Sequence, residues 1–538
     1  MQFLRQRWLG HLVLAWMCAY SPAQAQIPKF TARAELVTVP VVATRSGHHV
    51  SGLKKEDFTV YEDGKEQAIS FFEEIKASTR PLRRLKPPEG TYTNEISTGE
   101  APATLTIIVL DTLNTPALIQ ENARREVVKF LSGSLQENQP VMLVMLRRSG
   151  LKVVHDFTTD PAVLVKALAK VKTSMEGNNV GPTELAADAE IHGQDDISLR
   201  TDVTTEGLAL TDFLGNKEAT VGSMVMMQTV ARVESTLESM QELARGLGAM
   251  PGRKSMIWVT GGMPYTSGET RIVDLYNRTW HAISAANIAV YPVDLVVENP
   301  TLASAERRGP TRISRGIDTQ LVLRSFADYT GGTVCSFRSD LDTCFKKAAE
   351  DSSEYYMLSY YAKPLEKSGW RKLQVKTRAE HVHLRSRNGY LSLGSDVSPE
   401  DTRKTDVALA IVSPVEYTGL GVMVRWTGVV SGGEKRKLSF EVKIPPHEVT
   451  IDTAEDNHMK LNFVVVAQDA SGKVVAATSQ DVDAHLKPEN LEKVQTAGVR
   501  YAGTLEIPSG DYKVRFIVRD ALSGKMGTVK APSAPLKN

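Results

Sequence analysis

Thr104-Leu105-Thr106-Ile107-Ile108-Val109-Leu110-Asp111-Thr112-Leu113-Asn114-Thr115 carries the fold of this chain in one line. Its first seven residues form a near-continuous apolar run, the pattern of a strand buried on both faces of a parallel sheet. The run stops at a carboxylate followed by small polar residues. In open α/β sheets, ligands sit just beyond the carboxyl ends of such strands, so Asp111 marks a candidate binding position. Pro116 then opens a helical stretch from Ala117 to Leu131, as proline does at a first helical position.

Outward from this junction, residues 104 to about 362 alternate strands and helices, which predicts a doubly wound sheet. Val141–Leu146, Leu151–Val154, Ser255–Thr260 and Ile288–Val293 read as further strands, and Pro161–Val171 as a helix capped by Asp160. Met224–Leu247 is the clearest helix, with Val230, Val233, Leu237, Met240 and Leu247 at helical spacing. Between Glu176 and Asn216 lies a polar, acidic insertion with Glu184, Asp188, Glu190, Asp195 and Asp196, expected to cover the sheet's ligand edge as a mobile loop.

The strand-end motif resembles that of a von Willebrand factor A domain, whose first strand ends in Asp-x-Ser-x-Ser. The resemblance implies a Rossmann-like parallel sheet and a Mg²⁺ site built from that motif, a Thr of a second loop and an Asp of a third. The metal's open position then takes a carboxylate from a partner protein. Asp111 and Thr115 match the first motif and Thr183 is the candidate second-loop ligand, but Leu113 stands where a hydroxyl belongs. Asn114 offers a side-chain carbonyl out of position. The third motif reads Thr260-Gly261-Gly262 and lacks its carboxylate. The metal site is therefore expected to be weak or absent, because Mg²⁺ requires oxygen ligands in near-octahedral array.

A closer resemblance is to the bacterial VWFA-related proteins of the Acidobacteria type. It is carried by Gly52-Leu53-Lys54-Lys55-Glu56-Asp57-Phe58, Val60-Tyr61-Glu62-Asp63-Gly64-Lys65 and Phe157-Thr158-Thr159-Asp160-Pro161. Pro251-Gly252-Arg253-Lys254-Ser255, Tyr291-Pro292-Val293-Asp294, Thr330-Gly331-Gly332 and Arg387-Asn388-Gly389-Tyr390 extend it, so that it spans roughly residues 35 to 395. It implies a fold and a compartment and no defined mechanism.

The 538 residues suggest several domains, and 42% hydrophobic with 24% charged residues is the balance of a globular protein. Arg5 and Arg7, the apolar Trp8–Tyr20 and the small-x-small Ala23-Gln24-Ala25 read as a secretory signal peptide cleaved after Ala25. Met17-Cys18-Ala19 lacks the small residue that lipoprotein processing needs before its cysteine. Removing residues 1–25 leaves 62 basic and 63 acidic residues, net −1. That balance argues against nucleic acid as the main partner. No later stretch is apolar enough to span a bilayer. A periplasmic or secreted protein sits in an oxidising compartment, so Cys335 and Cys344 are expected to pair as a disulfide, with free buried thiols as the rival reading.

The expected architecture is multidomain α/β plus all-β. It comprises a small β module over 26–80, a linker over 81–103, a VWA-like domain with a C-terminal strand extension over 104–395, and an immunoglobulin-like β-sandwich over 396–538. Past residue 400 helical pattern vanishes, and segments such as Val407–Val412 and Gly421–Val429 read as strands.

Other chemical signals are sparse. His381-Val382-His383 places two imidazoles on one face of a strand, half of a zinc site or an exposed strand face. His48-His49 falls in a turn, and Asp481 with Asp483 reads as a solvated strand end or part of a Ca²⁺ site. His447-Glu448 begins a zinc-protease motif that Ile451 breaks. Arg253-Lys254 binds an anion or caps the preceding helix's carbonyls. The Tyr355–Tyr361 run is half core by alternation, with sugar stacking as the alternative. No nucleophile elbow, HExxH helix or phosphate loop is present. The expected function is a non-enzymatic protein-interaction scaffold, its contact edge at Asp111–Thr115, Thr183 and Thr260–Gly262, with no cofactor or weakly bound Mg²⁺. A Mg²⁺-dependent adhesion module and a carbohydrate binder or enzyme acting through the C-terminal sandwich are the alternatives.

Overall fold

The computed structural model describes residues 35–76, 83–84, 87–97, 104–133, 135, 139–171, 227–248, 250, 252–263, 270–295, 311–336, 341–363, 365, 369–392, 399–453 and 456–533. At its centre is a six-stranded sheet. Its order is Gly150–Thr158, Val141–Arg147, Leu105–Asp111, Lys254–Thr260, Ile288–Asp294, Cys335–Ser336. Only the Gly150–Thr158 edge runs antiparallel.

Three of the inner strands are buried along their whole length, which is why their middles read as near-continuous apolar runs. Alternate residues serve opposite faces. Ile107, Val109, Met256, Trp258 and Val290 meet the helices 227–247, Thr270–Ala285 and Thr311–Thr330 on one side. Ile108, Leu110, Ile257, Val259 and Val293 meet Ala117–Gly133, Pro161–Ala169 and Leu341–Ser353 on the other. The fully buried Trp258 ring alone contributes about 4–6 kcal/mol, from roughly 150–250 Å² removed from water. From Leu105–Asp111 the chain steps outward to Val141–Arg147 and later returns to the other side at Lys254–Thr260. The switch point thus falls between Asp111 and Thr260, where a ligand crevice is expected in this topology.

The N-terminal module is not a separate unit. Its strand Glu35–Arg45 pairs with Glu354–Ala362, with Val37 opposite Tyr360, and Phe71–Lys76 takes the other edge of that partner. Phe58–Glu62 pairs with Gly369–Thr377. Residues 354–392, read above as an extension of the α/β domain, therefore complete a two-sheet β unit. Its core includes Val39, Phe58, Val60, Tyr356, Leu358 and Tyr360. Two or three short strands cannot bury a face alone, and the α/β domain is inserted between the two halves that can.

The segment read as a linker is also docked. Thr91–Thr93 pairs with Met423–Arg425. The Asn94 amide donates to the carbonyls of Tyr417 at 2.7 Å and Leu420 at 2.9 Å, and its oxygen accepts from the Val422 N–H at 2.8 Å. Beyond it, two four-stranded sheets enclose a core around Trp426, Phe440, Phe463 and Phe516, a β-sandwich. Two helices interrupt the all-β expectation, Pro399–Val412 and Pro488–Ala497. Val407–Val412 is helical because Asp406 pairs with Arg519 and the Ala410 carbonyl accepts from Arg515. A six-residue apolar run cannot by itself distinguish helix from strand. Among the described residues no helix is long and apolar enough to cross a membrane.

Candidate functional site

Asp111 ends the central strand with its carboxylate turned inward, 2% exposed. One oxygen accepts from the Asn114 backbone N–H at 2.9 Å and from the Asn114 amide at 3.1 Å. The other accepts from the same amide at 2.9 Å, the Trp258 indole N–H at 3.1 Å and the Thr260 hydroxyl at 2.8 Å. Burial pushes the carboxyl's pKa up, and these donors oppose that shift in part.

The surrounding loops lock onto this node. The Thr115 hydroxyl accepts from the Gly261 N–H at 2.8 Å, and the Thr260 hydroxyl from the Gly262 N–H at 3.0 Å. Gln120, one turn into the following helix, donates to the Thr115 carbonyl at 2.7 Å. Helix 227–247 supplies Thr236, whose hydroxyl accepts from the Asn114 amide at 2.9 Å and donates to the Arg232 carbonyl at 2.8 Å. Arg232 is itself buried, with its Nε unpartnered, and feels the Asp111 charge.

Gly261 stands where the resemblance expects a carboxylate, and the backbone closes that position. A Cβ there would lie 2.6 Å from the Asn114 carbonyl oxygen and 3.0 Å from the Thr115 Cα. Gly262 adopts φ +101°, and a Cβ on it would meet Thr319 Cγ2 at 2.3 Å. Leu113, in the place of a ligating hydroxyl, is 1% exposed. A small cavity of about 30 Å³ borders Asp111, Thr115, Gln120 and Arg124, enough for one or two waters.

These residues do not fit a Mg²⁺ site. Both Asp111 oxygens already face N–H and O–H donors, and the third-loop position admits no side chain. Asp111, Asn114, Thr115, Thr260 and Gly261 are gathered as the sequence places them, but as an interior knot. Asn114, Thr260 and Gly262, expected at a contact edge, are buried. Thr183 and the acidic insertion lie outside the described residues. Sequence reasoning missed Trp258 and Thr236. A tryptophan inside a buried aliphatic strand signals that its N–H needs a partner. Likewise, Arg232 and Thr236 form an i, i+4 polar pair on a helix whose Val233, Leu237 and Met240 are buried.

The remaining signals resolve into structural roles. Cys335 and Cys344 form a disulfide with Cα atoms 5.8 Å apart, tying the sheet edge to helix Leu341–Ser353. His381 sits in a turn at φ +58° ahead of strand His383–Arg385, so the two imidazoles do not share a strand face. His49 belongs to a short strand, stacks on Tyr356 and lies 3.7 Å from Glu74. Asp483 pairs with His458 and Lys460 at 2.7 Å each, and Asp481 accepts from Asn462 at 2.8 Å. Arg253 and Lys254 are buried donors to carbonyls. Arg253 reaches those of Asp351 and Gly331, and Lys254 those of Met250 and Gly252, beyond helix 227–247. Tyr355, Tyr356 and Tyr360 are core, while Tyr361 is exposed edge-on to Phe71.

No family model matches this chain, and no curated protein matches it. Among solved structures it is similar to the TFIIH p34 N-terminal domain, at 13% identity over 46% of this chain and 96% of that one, TM-score 0.19. The SpRpn10 VWA domain is 10% identical over 45% and 94%, TM-score 0.21. Human COPII-coat protein Sec24c is 9% identical over 60% and 49%, TM-score 0.23. A family 2 β-glucuronidase is 16% identical, and the chain spans only 11% of its length, TM-score 0.15. Likenesses this slight add nothing to the strand order, on which the assignment of a mixed α/β and β architecture rests.

Proposed function

We propose that this chain is an exported, non-enzymatic interaction scaffold of the von Willebrand A type, in which the sheet apex is a sealed polar knot that works without a metal. One observation carries the reading. The Asp111 carboxylate spends both oxygens on Asn114, Trp258 and Thr260, while the Asn114 carbonyl occupies the space a third-loop side chain needs. An apex built this way holds two loops and a helix in register and leaves partner recognition to other surfaces. The disulfide agrees with the export expected from residues 1–25, because such bonds persist in oxidising compartments. The buried arginine and lysine pair serves internal carbonyls, which supports a structural use of the chain's charged interior over a catalytic one.

Calorimetric titration of Mg²⁺ and Mn²⁺ tests this. The wild type and Gly261→Asp, which restores the missing carboxylate, are both expected to show no saturable heat. Gly261→Asp should also lose about 1–3 kcal/mol of stability by overpacking. Saturable wild-type binding that disappears in Asp111→Asn would instead establish a Mg²⁺-dependent adhesion module.

A further inference from the structure

Strands Gly369–Thr377 and His383–Arg385 are consecutive and separated by five residues, the spacing of a hairpin. They do not pair with each other. Gly369–Lys372 pairs with Gly389–Ser392 on one edge, and Leu373–Thr377 pairs with Phe58–Glu62 on the other. His383–Arg385 crosses instead to the opposite sheet and pairs with Val42–Thr44, ending that sheet. The would-be hairpin is splayed, and two strand edges face a common gap.

Backbone alternation fixes what the gap presents. The Lys372 carbonyl accepts from the Asp63 N–H, on the side of Phe58–Glu62, while the Leu373 N–H donates to the Asn388 carbonyl on the side away from it. Two residues on, the Val375 N–H and C=O point the same way as those of Leu373, into the gap. No strand among the described residues pairs with that edge. The gap is a cleft of about 600 Å³. The edge from Leu373 to Thr377 runs about 13 Å at a rise of about 3.3 Å per residue, the length of roughly four extended residues.

The charges lining it are mostly positive. Arg324 and Lys372 are exposed, and Arg385 also faces the cleft, with Asp328 as the one acid in its lining. Arg385 pairs with the buried Asp351 and keeps its Nε unpartnered. Leu373, Val375 and Leu384 give the same walls an apolar side.

We propose that this cleft binds an extended acidic segment of a partner protein, about four residues long, added as a strand between the two edges. Main-chain hydrogen bonds hold it, alternate apolar side chains face the half-buried Val375 and Leu384, and its carboxylates face Arg324 and Lys372. The proposal rests on the reading of the chain as an interaction scaffold and names the partner's segment.

The test passes an octapeptide pool over the immobilised full chain, with Val, Ile or Thr at odd positions and Glu, Asp, Gln or Lys at even ones. Retained peptides should be enriched at least about threefold in Glu or Asp, and should bind Arg324→Glu/Lys372→Glu about tenfold more weakly, both pairs being charge-reversed. Raising salt from about 0.05 to about 0.5 M should weaken wild-type binding about fivefold, a readout that holds should the double variant fail to fold. Flat or lysine-biased retention, equal binding by a folded double variant, or salt-insensitive binding overturns the cleft. A positive cation titration would overturn the sealed apex and leave this result standing.

Discussion

Truncating Asp111 to alanine removes the acceptor for five hydrogen-bond contacts at once, and the structure says how many of the donors are left stranded. The Thr260 hydroxyl still accepts from the Gly262 N–H, and the Asn114 amide keeps Thr236 at 2.9 Å. The Asn114 backbone N–H and the Trp258 indole N–H have no such recourse, since both are buried against the missing carboxylate. Each stranded buried donor costs about 1–3 kcal/mol. Removing a desolvated carboxylate gives part of this back, so the net loss is set at about 3 kcal/mol. Thr236→Val leaves the second hydrogen of the Asn114 amide without its acceptor, and should cost about 1 kcal/mol. In a chain with several hydrophobic cores, a single denaturation midpoint would mislead. Hydrogen exchange read by mass spectrometry on peptides covering 105–116 and 254–262 reports the local opening free energy. A loss below about 1 kcal/mol in Asp111→Ala, with those peptides as protected as in wild type, refutes the knot.

Two further outcomes follow from buried groups. Burial holds Lys254 at a pKa of about 7, against 10.5 for an ordinary lysine. Above about pH 10.5 both states are neutral. As pH falls from there to about 7, the unfolded chain takes up the proton first and stability drops by about 1.4 kcal/mol per pH unit. Urea-induced opening of the peptide 254–262, read by pulsed hydrogen exchange in wild type against Lys254→Met, should therefore show the wild type gaining about 3 kcal/mol between pH 7 and 9.5, and a constant difference refutes the shift. The Cys335–Cys344 bond closes a loop with a sequence separation of 9. Replacing both by serine should cost about 3 kcal/mol on the chain-entropy relation, measured by exchange in helix Leu341–Ser353, and unchanged protection there would contradict it.

The parallel sheet was legible because burial on both faces forces one signature, an unbroken apolar strand, and Leu105–Leu110, Met256–Val259 and Ile288–Val293 all carry it. The flanking β units were legible as strands but not as partners. Glu35–Val42 alternates loosely and is rich in valine, yet its neighbour Glu354–Ala362 lies some 320 residues away, and no local pattern encodes that distance. Thr91-Tyr92-Thr93 is too short to show a pattern and reads as linker, because its pairing uses backbone groups that every residue carries. At the site, Asp111 announced itself by its place at a strand end. Trp258 and Thr236 were hidden because their polar atoms reach across elements, whereas sequence periodicity reports only which face a residue takes.

The two departures from the metal motif act as one change. Leu113 is buried where the resemblance would place a ligating hydroxyl, and Gly261 lets the third loop approach until its N–H bonds Thr115 at 2.8 Å. A side chain at 261 would need the Asn114 carbonyl to retreat by about 1 Å to reach an ordinary contact of about 3.5 Å. That retreat breaks the Gly261–Thr115 bond and pulls Asn114 from Asp111, so the carboxylate would lose donors before any cation replaced them. Restoring a single oxygen ligand therefore lowers stability without creating a site. On the proposed reading of a sealed apex, both Leu113 and Gly261 would have to change, and the Asn114 carbonyl to move, before a cation met oxygen ligands there.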